Sequence, residues 1–125
     1  MYTDPIADLL TRIRNASSAN VTTCYVPHSK LKENILKIML EKGFIEKFEK
    51  TDDKLPEIAI TLREGKRINL KRISKPGQRI YVKKDEMKPF KKGLGTKIVS
   101  TSKGLMTSEE AIKSSLGGEI ICEIY

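Results

Sequence analysis

KIVSTSKGLMTSEEAIKSSLGGEIICEI, residues 97–124, holds the signals of two strands, one helix and the turn between them. Lys97–Thr101 carries Ile98, Val99 and Thr101, the β-branched composition of a strand. Thr107 and Glu110 form a T-x-x-E box, in which a hydroxyl and a carboxylate satisfy orphan amides at a helix start, so the spacing predicts a helix over Ser108–Ser115. Gly117-Gly118 is expected to break that helix. Glu119–Ile124 then alternates as a final strand. Between strand and helix, Ser100–Gly104 crowds three hydroxyls, a lysine and a glycine into five residues. Such a stretch can hold a nucleophile, cradle a phosphate or lie close against a polymer.

Working outward, the preceding segment reads as further sheet. Ile68–Ile73 alternates, Lys75-Pro76-Gly77 is a turn, and Arg79–Lys83 is a short strand followed by a loop with Pro89, Gly93 and Gly95. Residues 63–67, REGKR, form a hinge-like turn where composition shifts from neutral to basic. The first half is richer in helix. Thr3 or Asp4 can cap a helix opened by Pro5, with Ile6, Leu9, Leu10 and Ile13 on one face and the polar stretch Asn15–Asn20 as its end. Val21–Val26 reads as a strand stopped by Pro27. Ser29 caps a second helix with apolar positions Leu31, Ile35, Ile38 and Met39, closed by Gly43. Strands follow at about Phe44–Glu49 and Glu57–Leu62. The expected fold is therefore α+β in two small lobes. Residues 1–65 carry two helices and a three-stranded sheet, and residues 66–125 a mainly antiparallel sheet with one short helix.

Charge is distributed unevenly. Residues 1–62 hold nine Lys/Arg and nine Asp/Glu, whereas residues 63–103 hold fourteen against three, and the whole chain carries +8. A cationic block of this kind is the footprint of a face that binds a polyanion. It lacks the large apolar anchors of a membrane-surface helix, and no apolar run approaches the ~20 residues of a bilayer span. The N-terminus has no signal-peptide pattern, which with two unpaired-looking cysteines, Cys24 and Cys122, suggests a cytoplasmic protein with reduced thiols.

Several chemistries can be weighed on these residues. A Ser-Lys dyad of Ser100 or Ser102 with Lys103 would need a buried amine, and the surrounding hydroxyls and glycine do not promise burial. His28, beside Pro27, reads as a loop residue rather than a base. GLGTK (93–97) resembles a phosphate-binding loop but lacks the G-x-x-x-x-G-K-[ST] spacing. No metal-ligand cluster and no cofactor motif is present in the sequence. Nucleic-acid binding fits better. If Arg79–Lys83 is a regular strand, Arg79, Tyr81 and Lys83 share one face, and Lys84 follows. Tyr81 would either stack on a base between cations or pack in the core; the residues alone leave both open. Short hydroxyls and a glycine at 100–104 suit the wide, shallow minor groove of A-form RNA, which displays 2′-hydroxyls and base edges. A general nucleic-acid compaction protein is the alternative of the same class.

DPIADLLTRIRNA (4–16), VPHSKLKENILKIMLEKGFI (26–45), RISKPGQRIY (72–81), GLGTKIVSTSKGLMT (93–107) and GGEIICEIY (117–125) resemble, in order and spacing, segments of the bacterial-type small-subunit ribosomal protein S-eight family. The resemblance implies a non-enzymatic, primary-binding protein that attaches early to the central domain of small-subunit rRNA and touches neighbouring ribosomal proteins. It implies RNA contacts at Ser100, Thr101, Ser102, Lys103 and Gly104 and at Gly117, Gly118 and Glu119. Arg79, Tyr81, Lys83 and Lys84 would extend that surface. Thr3, Asp4, Arg12, Arg14 and Lys30 would contribute from the N-terminal lobe. In some bacteria the family also represses its own operon by binding an mRNA that mimics the rRNA site, which would be a further partner. The chain departs from the family pattern after Thr107. Ser108, Ile112 and Ser114 stand where the family usually has an aspartate and arginines, and Glu109-Glu110 make the helix start acidic, so helix 108–115 is left out of the expected contacts. The loop 50–56 and the turn 63–67 are also short.

Overall fold

Proline at position 5 opens the first helix because its missing amide falls where a helix has no carbonyl to offer. In the computed structural model, which describes residues 4–65, 67–88 and 95–125, that helix is α1 (Pro5–Ser18). The described chain divides into two units, one of Pro5–Ile68 and one of Asn69–Tyr125 with Asp4.

In the first unit α1 buries Ile6, Leu9, Leu10 and Ile13, and also Ala16 and Ser17. It ends within the polar stretch Asn15–Asn20, as expected: Asn20 closes it in the left-handed conformation at φ 57°, with the Val21 amide donating to the Ala16 carbonyl at 2.9 Å. β1 (Thr23–Pro27) lies at the edge of a three-stranded antiparallel sheet of order β1-β3-β2, a place that tolerates Pro27. Ser29 caps α2 (Lys30–Glu41), its hydroxyl oxygen accepting the Lys32 amide at 3.2 Å. Gly43, at φ 78°, ends the helix, and the Phe44 amide reaches back to the Met39 carbonyl. Ile35, Leu36, Ile38 and Met39 are buried, but Leu31 is exposed. Lys32 takes the inner position, where its ammonium donates to the Pro27 carbonyl at 3.1 Å while its stem covers apolar surface. β2 (Ile45–Lys50) and β3 (Glu57–Leu62) complete the sheet, with Ile58, Ile60 and Leu62 of the central strand turned to the core.

The second unit is built around its last strand. It contains β4 (Leu70–Arg72), β5 (Tyr81–Val82), a 3-10 turn at Lys84–Glu86, β6 (Thr96–Thr101), β7 (Gly104–Thr107), α3 (Ser108–Lys113) and β8 (Gly118–Ile124). Both β4 and β5 pair with β8, at Cys122–Ile124 and Gly118–Glu119 respectively; β6 also pairs with β8 and carries β7 beyond it. β8 bulges at Ile121, between the pairs Val99↔Ile120 and Ile98↔Cys122. The Ile121 carbonyl accepts the Ile73 amide at 3.1 Å and Arg72 Nη1 at 2.7 Å. Arg72 also pairs with Asp4, at 3.1 Å between Nε and Oδ2. Met87, Val99, Ala111 and Ile120 form a core cluster, with Ile73, Val82 and Met106 against it.

Three features differ from the sequence expectation. β7 sits where only a turn leading into a cap was expected, because Gly104–Thr107 is too short for its alternation to register. The strand at 79–83 contracts to Tyr81–Val82. α3 ends at Lys113, closed by Ser115 at φ 54° with the Leu116 amide on the Ala111 carbonyl, before the glycine pair is reached. Gly117 and Gly118 therefore do not terminate the helix; they serve the sheet. Among the described residues, no helix is long and apolar enough to cross a membrane.

Candidate nucleic-acid interface

Strand register in the second unit brings three distant segments side by side. Tyr81 pairs with Glu119, Glu119 with Ser100, and Ser100 with Leu105, so one row crosses β5, β8, β6 and β7. Directly opposed antiparallel residues project from the same face of a sheet. Val82 belongs to the core cluster, whereas Tyr81 is 70% exposed. The alternative that Tyr81 packs in the core is thereby removed. Arg79, Lys83 and Lys84 are exposed around it.

The glycine pair makes this adjacency possible. A Cβ on Gly117 would lie 2.5 Å from the Val82 carbonyl oxygen and 2.8 Å from the Lys84 amide nitrogen. On Gly118 it would overlap the carbonyl of Ser100. Only residues without a side chain let β8 approach both neighbours this closely. Gly117 and Gly118, both expected at the RNA contact, lie close against the protein's own backbone at the base of the face.

The hairpin between β6 and β7 divides its hydroxyls by task. Thr101 pairs with Gly104, at φ 108°, leaving Ser102 and Lys103 as a two-residue loop. The Thr101 hydroxyl donates to the Gly104 carbonyl at 2.9 Å and accepts the Lys103 amide at 3.1 Å. It is committed to building the turn. The hydroxyls of Ser100 and Ser102 make no hydrogen bond among the described residues, and Ser102 and Lys103 are exposed. Glu119 is held beside them by Arg79, with Nη1 3.0 Å from Oε2. That hydrogen bond, and then the carboxylate charge, raises the guanidinium pKa above its ordinary value.

The remaining expected residues lie elsewhere. Arg12, Arg14 and Lys30 are exposed in the first unit. Arg12 pairs with Asp8 at 3.1 Å and donates to the Tyr25 carbonyl at 3.0 Å. Asp4, in the second unit, pairs with Arg72. Thr3, and Gly93 and Leu94 of GLGTK, fall outside the described residues. Lys103, being exposed, has nothing to desolvate its amine as a Ser-Lys dyad would require. Cys122 is free, and burial pushes its thiol up to about 12. Among the described residues no group of His, Cys, Asp or Glu is arranged to hold a metal ion.

The family model for ribosomal protein S8 matches residues 4–125. The chain belongs to the ribosomal protein S8 family. Small ribosomal subunit protein uS8 of Caldanaerobacter subterraneus subsp. tengcongensis is 51% identical over 131 aligned residues, spanning 100% of this chain and 99% of that protein. In this S8-family chain the acidic start of α3 has internal work. Glu109 accepts from the hydroxyls of Thr96 at 3.3 Å and Ser108 at 3.4 Å, and Glu110 completes the cap with Thr107. Leu105, at the end of the four-strand row, was not expected at the site, since only the pairing of β6 with β7 reveals its position.

Proposed function

We propose that this S8-family protein, a structural constituent of the small ribosomal subunit and not an enzyme, binds the central domain of 16S-type rRNA directly and early in subunit assembly. The observation that carries the proposal is the convergence of Arg79–Lys84, Ser100–Gly104 and Gly117–Glu119 through the pairing of β5, β8 and β6. Exposed cations at Arg79, Lys83, Lys84 and Lys103 would meet phosphates and supply affinity. The free hydroxyls of Ser100 and Ser102 would exchange hydrogen bonds with 2′-hydroxyls and base edges in a minor groove, with Tyr81 stacking at the flank. Arg12, Arg14, Lys30 and Thr3 would add contacts from the N-terminal region, and Asp4 would reach RNA only alongside Arg72. The same face would bind an operon mRNA of matching shape, and the protein would work in the cytoplasm within the subunit, against neighbouring ribosomal proteins.

Filter-binding titration against a central-domain rRNA stem and a scrambled RNA duplex tests this. Ser102→Ala is expected to weaken the stem about fivefold, the value of one hydrogen bond of about 1 kcal/mol, with little effect on the duplex. Equal losses on both, or no preference of the wild-type protein for the stem, would overturn the proposal.

A further inference from the structure

The central strand of the first unit alternates strictly, with Ile58, Ile60 and Leu62 buried in the core and Glu57, Ala59 and Thr61 partly exposed on the other side of the sheet. Register extends this outer face to both neighbours. Tyr25 and Glu49 flank Ala59, Thr23 and Lys47 flank Thr61, and Pro27 stands opposite Glu57. Neighbouring strands lie about 4.8 Å apart, so Tyr25 and Glu49 stand about 10 Å apart across the methyl group of Ala59. The face is thus a shallow trough with an aromatic wall, a small floor and a carboxylate wall, and Tyr25 is 51% exposed. Glu57 lies on the diagonal from Glu49, about 7–8 Å away. Charge here runs against the rest of the chain: residues 46–57 carry five acids against three lysines, whereas residues 63–103 carry fourteen cations against three acids. Lys47 lies 3.9 Å from Glu49, but with both side chains more than 60% exposed the pair is worth little and leaves the carboxylate available.

We propose that this outer face is a docking surface for an extended, arginine-rich segment of a partner protein. It stands apart from the rRNA reading, which concerns residues 79–119. A guanidinium seated over Ala59 stacks on the Tyr25 ring and meets the Glu49 carboxylate with two parallel hydrogen bonds, a geometry that a lysine ammonium does not match. An extended chain carries alternate side chains on one side about 7 Å apart, so a second arginine two residues on falls at Glu57. Phosphates are repelled by the same two carboxylates, which sets this face apart from a nucleic-acid surface. The free edge of β1 is closed to strand addition, because Arg12 Nη1 donates to the Tyr25 carbonyl at 3.0 Å, Lys32 Nζ donates to the Pro27 carbonyl at 3.1 Å, and Pro27 has no amide. The partner therefore lies across the face and not along its edge.

NMR titration of the full chain tests this, with a twelve-residue peptide alternating arginine and serine, its lysine and glutamate counterparts, and a scrambled RNA duplex. A chain of net charge +8 repels a cationic peptide unless a local face attracts it. The arginine peptide is expected to move the backbone amides of Glu49, Glu57 and Ala59 saturably, and the lysine peptide to bind severalfold more weakly. The glutamate peptide and the duplex should leave those amides unmoved. Tyr25→Phe should keep the wild-type affinity for the arginine peptide, whereas Tyr25→Leu should lose about two- to fivefold. If Tyr25→Leu fails to give a cooperative melt, Glu49→Gln carries the test at an exposed position, with a loss of similar size and a shallower salt dependence. An arginine peptide that moves none of these amides, or that binds Glu49→Gln as tightly as wild type, overturns the proposal. A duplex that moves the same amides makes the face a nucleic-acid surface and overturns it equally.

Discussion

Adding one methyl group at Gly117 should pull the interface apart from inside. In Gly117→Ala the new Cβ would sit 2.5 Å from the Val82 carbonyl oxygen and 2.8 Å from the Lys84 amide nitrogen, against an ordinary contact distance of at least 3.4 Å. The shortfall is about 0.9 Å, and both obstacles are backbone atoms, which cannot swing aside as a long side chain can. Either β5 and the 3-10 turn withdraw from β8, breaking the pairs Tyr81↔Glu119 and Val82↔Gly118, or the overlap is borne as strain. Overpacking of this sort costs about 2–3 kcal/mol. For a chain of this length, at about 3–5 °C per kcal/mol, the melting temperature should fall by about 6–15 °C. Gly77→Ala is the matched control, because a Cβ there meets nothing within 4 Å. Thermal unfolding followed by circular dichroism compares the two. A Gly117→Ala protein that melts within about 2 °C of Gly77→Ala would show that β8 does not approach the 82–84 backbone closely, and the account of how the face is assembled would fail.

The hairpin gives a second contrast. Thr101→Val removes two turn hydrogen bonds and is expected to cost about 1–2 kcal/mol in urea unfolding, whereas Ser102→Ala should stay within about 0.5 kcal/mol of wild type. Lys84→Met is expected to weaken every RNA tested and reduce the salt slope by about one in filter binding. Cys122 has its thiol pushed by burial from 9.0 up to about 12, so the folded state keeps its proton while the unfolded chain loses it above pH 9. Its contribution to stability is thus complete below about pH 9 and declines between pH 9 and 12, and at pH 8 a thiol reagent should label it only after urea unfolding.

Helix starts and stops were largely legible because their chemistry is local. Ser29 and Thr107 accept the amides that their side chains are built to accept, and Gly43 takes the left-handed conformation that its place after a helix implies. A residue other than glycine can do the same task. Asn20 closes α1 at positive φ inside the polar stretch expected to end it, whereas Ser115 closes α3 at positive φ ahead of the glycine pair and shortens it relative to expectation. The burial of Lys32 in place of Leu31 depended on the Pro27 carbonyl lying within reach, a fact of tertiary structure. The cationic face was visible as a charge block, but its internal division of labour was not. Thr101 and Ser102 are equivalent hydroxyls in the sequence, and only the geometry of the turn commits one and leaves the other free. In the same way Glu119 gains its place from a register spanning forty residues of chain, since Arg79 and Glu119 meet only after β5 and β8 have paired.

An NMR titration of the protein with a central-domain rRNA stem tests the central claim most directly. The largest backbone amide shifts are expected together at Arg79–Lys84, Ser100–Gly104 and Gly117–Glu119, with β2 (Ile45–Lys50) unmoved. Shifts confined to one of those segments, or centred on β2, would contradict a single RNA-reading face assembled by β5, β8 and β6.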